Sequence, residues 1–468
     1  MIGEVQAPAT APVECGIQAR GIRITGTVLR MSGRLNKFAR SEFFWLLCIV
    51  SLGAALRTYF WFHGFALEGK PGLVRHGDGY LDIAATFRPG SHIGFFDHWR
   101  ASYQFIYPLY LAPLYAFELN DSIYIFWLHH AFAAATTCLI YLVSRRLFGS
   151  TAALLSASID AGQPQFAYWF NWALADMAFH FHLALFFLCA AVWWNNRTRM
   201  ALLGLIAAAF LMCFTRPEGF LVSAVFSAGV LGSLLSRRLG FLWVVTALGT
   251  LAAVVVVAVG ILLVQNEPFR ERVLSNTAVG WGLYYGSQRT PTQAAAVDEL
   301  LLEMRRYGSE KAAVDPQHRN PWYWNSLAGI ERIKKNPISY LGFTAERIVN
   351  AYVPSFFGGA RSGGGRYASA YIAFERTLAL FVLIGTIITL RNAGTTGAAS
   401  LMRTLFMAAC FIYVFIGFYQ SEWDVRVQLS PQVLLIPIAA YGWVLLFSRV
   451  AELRNASKSS WPNEPRNV

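Results

Sequence analysis

Apolar runs near twenty residues long recur along the chain, separated by short polar breaks. A bilayer core about 30 Å thick takes roughly twenty apolar residues as a helix, so the runs predict membrane spans. They fall at 43–62, 122–143, 151–163, 172–194, 200–214, 217–235, 240–264, 371–390, 400–419 and 427–447. The run at 151–163 is the weakest, being short and holding Asp160. Alternate runs end in arginine: Arg145-Arg146, Arg197 with Arg199, Arg237-Arg238, Arg391 and Arg449. Lys and Arg collect on cytoplasmic loops, so both termini are expected inside the cell. Residues 1–40 read as a loose basic cytoplasmic tail, its last part lying on anionic lipid, and 449–468 as a second tail. The long polar segments 64–121 and 265–370 then lie outside, flanking or interrupting a membrane domain at 41–448.

Composition agrees with an all-α polytopic membrane protein. Of 468 residues, 56% are hydrophobic and only 14% charged, where soluble chains carry about a quarter charged residues. The net charge of +13 sits largely at span ends and calls for no nucleic acid. Five of the six cysteines, all but Cys15, lie in apolar runs with no CxxC, so neither disulfides nor a metal–thiolate site is expected. Within 265–370, helices are predicted at 291–306, 321–335 and 337–352, each opened by proline. A glycine-rich basic loop with Arg361 and Arg366 follows. It lacks the Gly-Lys-Ser/Thr of a phosphate-binding loop, and no nucleotide-binding fingerprint occurs elsewhere.

The candidate chemistry gathers at one depth. In Arg75-His76-Gly77-Asp78-Gly79-Tyr80-Leu81-Asp82, two glycines free the backbone around an acid. Residues 83–87 read as a short helix on a membrane surface. Asp160, Gln163, Gln165, Asn171 and Asp176 fall at the outer mouths of neighbouring spans, with His129 and His130 close to that level. Arg216 and Glu218 lie between two spans, and Glu422, Asp424, Arg426 and Gln428 border the last. Asp176 and His180, four apart, share a helix face. Ionisable residues at membrane depth are functional by default, so an outward-facing polar cavity is expected. A lipid-borne donor suits such a place. Its phosphate needs a cation, for which Arg216 or Arg426 has the right fork, and an acceptor hydroxyl needs a base, for which Asp78 serves.

Taken in order, these motifs resemble the GT-C glycosyltransferases of the lipid-A aminoarabinose transferase and protein O-mannosyltransferase type. The matching stretches are Asp78-Gly79-Tyr80, the proline- and tyrosine-rich run Tyr107–Tyr115, Thr215-Arg216-Pro217-Glu218-Gly219, Lys334-Lys335-Asn336-Pro337, and Arg426 to Pro431. The resemblance implies a GT-C core of about ten or more helices with outer-face juxtamembrane helices. It implies a polyprenyl-phosphate-linked sugar donor and a lipid, glycan or protein acceptor, used on the periplasmic side of a bacterial inner membrane. Asp78 takes the catalytic role, with Tyr80, Tyr107, Asp176, Arg216, Glu218, Arg361, Arg366, Asp424 and Arg426 around the substrates. The family's second acid has no direct match, since Gly79 stands there; Asp82 or Asp97 replaces it. Some members use a divalent cation and others none, and Asp78, Asp97 and His98 could supply ligands here. Two other readings stay open: a flippase or transporter for a lipid-linked saccharide, and an O-antigen polymerase or ligase. A transporter predicts polar residues through the whole membrane depth, and the inner halves of these spans are nearly all apolar.

Overall fold

A computed structural model describes residues 31–59, 62, 75–76, 80–86, 105–119, 122–163, 172–196, 198–216, 218–235, 265–275, 277–288, 294–352, 368–392, 401–402, 404–406, 408–410, 412 and 425–459. The described chain is helical apart from one pair of two-residue strands. In order, the elements are α1 (Met31–Tyr59), β1 (Arg75–His76), α2 (Tyr80–Ala85), α3 (Ile106–Ala116), α4 (Ser122–Phe148) and α5 (Ser150–Ala161). Then come β2 (Trp172–Ala173), α6 (Asp176–Asn196), α7 (Arg199–Cys213) and α8 (Glu218–Leu235). The segment 265–352 folds as α9 (Glu267–Leu274), α10 (Thr277–Gly286), α11 (Ala294–Val314), α12 (Pro321–Lys335) and α13 (Pro337–Tyr352). Helices α14 (Ala368–Asn392) and α15 (Val425–Ser459) complete the chain.

Among the described residues, four helices are long and apolar enough to cross a membrane: Ser41–Tyr59, Ile123–Phe148, Asp176–Trp194 and Gln432–Arg454. The protein is thus an all-α membrane protein. Helix α5 has 12 residues, which rise only about 18 Å, short of a bilayer core. Its apolar pattern comes from packing against α4 and α15. The expected span 240–264 lies outside the described residues. Several boundaries differ from the sequence reading. Helix α1 begins at Met31, inside the expected loose tail, and α15 continues to Ser459. Residues 172–173, expected to open a span, are extended and pair in parallel with 75–76.

The chain divides into two compact units, Met1–Phe44 and Trp45–Val468. Of the first, the described part is the beginning of α1. The second holds a helical bundle of α4, α5, α6, α7, α8, α14 and α15, whose core includes Phe179, Phe186, Phe187, Ile412 and Ile436. Helices in lipid associate through close packing, because lipid is as apolar as leucine. The α14–α15 crossing shows this: a side chain on Gly442 would overlap the Gly385 carbonyl. At that approach Thr389 donates to the Ile438 carbonyl at 2.6 Å, and Trp443 donates to Phe381 O at 2.8 Å. Trp443, Leu47 and Leu52 show how the surface differs from the core, the last two being exposed as a lipid-facing helix requires.

The segment 265–352 has its own small core of Tyr284, Tyr285, Leu300, Met304 and Ala328. The prolines predicted to open its helices do so at α12, where the Asn320 side chain accepts from Trp322 N at 2.9 Å. At α13 the Asn336 side chain accepts from Ser339 N at 3.1 Å. The helix expected at 291–306 is observed over 294–314.

Candidate functional site

Two short helices and three helix ends build a polar centre. Helices α2 and α3 pack on each other and on α4 and the start of α6, through Tyr80, Leu81, Ala84, Tyr107, Leu111, Phe126, Leu174 and Met177. The inner face of α2 is therefore turned to protein, although its sequence suggested a membrane-surface helix. Asp82, on the opposite side, is exposed. The Tyr80 and Tyr107 rings meet edge to face at 5.3 Å, and Tyr107 is fully buried.

Behind these tyrosines lies a charged triad. Arg216, in the turn between α7 and α8, donates from Nε (3.2 Å) and Nη2 (2.8 Å) to the two carboxylate oxygens of Glu218. Its Nη1 donates to Asp176. All three side chains are buried. Asp176 and Glu218 stand in the first turns of α6 and α8, where the helix dipole favours negative charge. The turn is tight because residue 219 is glycine: a Cβ there would lie 2.5 Å from the Met212 carbonyl oxygen. Tyr80 lies close enough to Arg216, and Tyr107 to Asp176, for their charges to interact. Burial, and then the neighbouring Tyr80 and Asp176, hold the Tyr107 hydroxyl well above the usual phenol range.

Histidines tie α3 to the spans beside this triad. Tyr107 Oη bonds His129 Nε2 at 2.7 Å. The Thr215 hydroxyl donates to the Leu211 carbonyl (2.6 Å), which leaves it an acceptor for His182 Nδ1 (2.8 Å). A neutral His182 then accepts at Nε2 from Tyr110 O–H (2.9 Å). This fixes a directed chain from Tyr110 through His182 and Thr215 to Leu211. The backbone joins in, with Ile106 N donating to Phe214 O at 3.4 Å.

The expected polar residues thus divide into separate groups. Tyr80, Tyr107, Asp176, Arg216 and Glu218 converge. Asp160 sits elsewhere, accepting from Thr137 at 2.6 Å and facing the charge of Arg57. Gln163 donates to Gln432 at 2.5 Å, joining α5 to α15. His130 bonds Thr58 at 3.2 Å. Asp160, Gln163, Asp176 and His180 are 1–2% exposed, so these residues form buried contacts between helices, where the sequence suggested the walls of an open cavity. Asp78, Asp97, His98, Arg361, Arg366 and Asp424 lie outside the described residues. Arg426 is in the first turn of α15, and its side chain is outside the described atoms. Among the described residues no group of three His, Cys, Asp or Glu side chains could hold a metal ion. Tyr110 and Thr215 fell inside the matching stretches without a role of their own, and His182 was not singled out, although the spacing of Asp176, His180 and His182 within seven residues was a signal for it.

The flanks of Asp78 are described on both sides. His76 pairs with Ala173, three residues before Asp176, and Tyr80 packs on Tyr107 within electrostatic reach of Arg216. No family model matches the chain, and no curated protein matches it.

Proposed function

We propose that the protein is a membrane glycosyltransferase of the GT-C type. It moves a sugar from a polyprenyl-phosphate donor to a lipid, glycan or protein acceptor at the outer face of a bacterial inner membrane. The observation that carries this reading is the anchoring of both flanks of Asp78, His76 on Ala173 three residues before Asp176 and Tyr80 on Tyr107 within electrostatic reach of Arg216. A buried triad of this kind gives the segments before and after Asp78 a rigid base. In the reaction, the Asp78 carboxylate takes the proton of the acceptor hydroxyl as that oxygen attacks the anomeric carbon. The bond from that carbon to the phosphate oxygen breaks, and polyprenyl phosphate leaves. Arg216 has both edges of its guanidinium on carboxylates, so its part is to fix the site. Phosphate recognition then falls to Arg361, Arg366 or Arg426.

The test has two stages. Mass spectrometry of envelope glycolipids and glycans from cells with and without the protein identifies the missing sugar and its acceptor. Transfer from the matching polyprenyl-phosphate sugar is then measured with Asp78→Asn, Asp82→Asn and Asp97→Asn. Loss of a positioned base slows a reaction about 10²–10⁴-fold, and that loss is expected for Asp78→Asn. Exposed Asp82 should tolerate the change. Near-normal turnover of Asp78→Asn, with loss in Asp97→Asn, would move the base to Asp97, and no change in any glycan would refute the transferase.

A further inference from the structure

The connection between α11 and α12, residues 315–320, is tied down along its length. Asp315 Oδ1 accepts from Gln317 N at 2.8 Å and from His318 N at 3.3 Å, and its Oδ2 pairs with His318 Nδ1 at 3.2 Å. The Gln317 N–H, helped by His318, holds the Asp315 carboxyl below the usual carboxylate range. The His318 ring stacks on Tyr323 at 4.3 Å, and His318 O accepts from Trp324 Nε1 at 3.0 Å. Asn320 caps α12 and also donates to Ser275 O at 3.0 Å. Arg319 is thus pinned on both sides. Its own side chain is exposed, with no hydrogen bond or ion pair among the described residues. Beside it a groove of about 450 Å³ opens between the connection and α11. Its apolar lining is Ala312, Ala313, Pro316 and Pro321. Its polar points are Ser309, Asp315 and Arg319. A Cβ on Gly308 would stand 2.7 Å from the Pro321 carbonyl oxygen, so α11 and α12 touch next to the groove and fix its width.

We propose that this groove binds a small organic carboxylate that also carries hydroxyl or amine donors, as a sugar acid or the free end of a peptide does. The Arg319 fork takes the carboxylate through two parallel hydrogen bonds. Asp315 has three of its roughly four acceptor positions filled. The position left, with the Ser309 hydroxyl, takes the ligand's O–H or N–H. A single free cation suits a singly charged carboxylate, whereas the neighbouring Asp315 would repel a phosphate dianion. The groove's volume falls within the range of about 300–1,000 Å³ of small-molecule sites. A connection fixed in advance loses little freedom when a ligand arrives, and an exposed arginine without a partner does little for the fold. The inference concerns α11 and α12 alone and does not depend on glycosyl transfer.

The test uses the full chain in nanodiscs and saturation-transfer difference NMR. The probes are glucuronate and the dipeptide alanyl-alanine, with glucose as the uncharged control and inorganic phosphate as a competitor. Saturation transfer to glucuronate or to the dipeptide is expected, with none to glucose, and the probe that binds names the source of the carboxylate. Arg319→Gln should weaken that binding about tenfold or more, the factor for a lost charge-assisted hydrogen bond. Ala313→Trp, which fills the groove and leaves Arg319 in place, should abolish it. Lys334→Gln removes an exposed charge away from the groove lining and should bind as the parent does. All three substitutions fall at exposed positions, so the variants should melt with the parent. No transfer to either probe would overturn the inference, as would unchanged binding in Arg319→Gln or in Ala313→Trp. Glucose binding equal to that of glucuronate, or displacement of the bound probe by equimolar phosphate, would refute recognition of a carboxylate.

Discussion

Replacing Arg216 by methionine strands two buried carboxylates. At the 2.8 Å separation of Arg216 Nη2 and Glu218 Oε1, two unit charges attract by about 6 kcal/mol at an effective dielectric of 20. Desolvation of the buried ions offsets much of this, and removal of one partner from such a pair usually costs about 3–5 kcal/mol. That is two to nearly four decades in the unfolding equilibrium at about 1.4 kcal/mol per decade. Neutralising the whole triad should cost far less. The variant Asp176→Asn/Arg216→Met/Glu218→Gln keeps the shape and leaves no unpaired charge, and exchanging a buried ionic group for neutral residues is often close to neutral. The assay is reversible unfolding of the purified chain in mixed micelles by increasing dodecyl sulfate, followed by circular dichroism. The single variant should be the less stable of the two by at least about 2 kcal/mol. If Arg216→Met lies within about 1 kcal/mol of the parent, or if the triple variant is the weaker, Arg216 does not hold the two carboxylates together.

Two further outcomes follow from contacts described above. Gly442→Val should destabilise the bundle by about 1–3 kcal/mol or more, because its side chain would overlap the Gly385 carbonyl; a parent-like melting temperature would exclude that close crossing. In the segment 265–352 Tyr284 donates to Glu303 at 3.0 Å and accepts from Arg332 at 3.2 Å, so Tyr284→Phe should cost about 1.5–3 kcal/mol, read as faster amide exchange in α10 and α12. Burial raises the Tyr284 phenol above its ordinary value, Arg332 opposing and Glu303 adding to it. Its contribution is therefore complete below about pH 10 and declines as pH rises toward the folded-state value. The parent should lose more stability than Tyr284→Phe on that alkaline limb, and identical slopes would contradict the assignment.

Helix positions were legible because each depended on a local signal. Proline at 321 and 337, with asparagine just before each, marked the starts of α12 and α13 to the residue. Arg145 and Arg146 marked the last turn of α4. The misreadings have tertiary causes. Trp172 and Ala173 are apolar and looked like the start of a span, but a parallel partner ninety-odd residues earlier makes them a strand. Helix α5, twelve residues long, reads as a short apolar run because its faces meet other helices. The α2 sequence fits a lipid surface as well as it fits α3; only the arrangement of Tyr107 and Leu111 decides between them.

The same limit explains the site. Sequence places Asp160, Asp176 and Arg216 at a similar depth, and depth alone suggests one shared cavity. Direction around each helix axis separates them. Asp160 turns to Thr137 and Arg57 on one side of α5, whereas Asp176 turns to Arg216. A membrane-embedded charge is costly without a partner, so each is committed to a helix neighbour, and few remain for a ligand. Arg216 is the clearest instance. Three of its five N–H donors are already engaged, and a phosphate brought to the other two would face the buried carboxylates of Asp176 and Glu218. On the proposed transferase reading, the guanidinium that reads a donor phosphate is therefore sought outside this triad. That requirement points to Arg361, Arg366 and Arg426, whose lysine variants should weaken donor binding while Arg216→Lys acts mainly on stability.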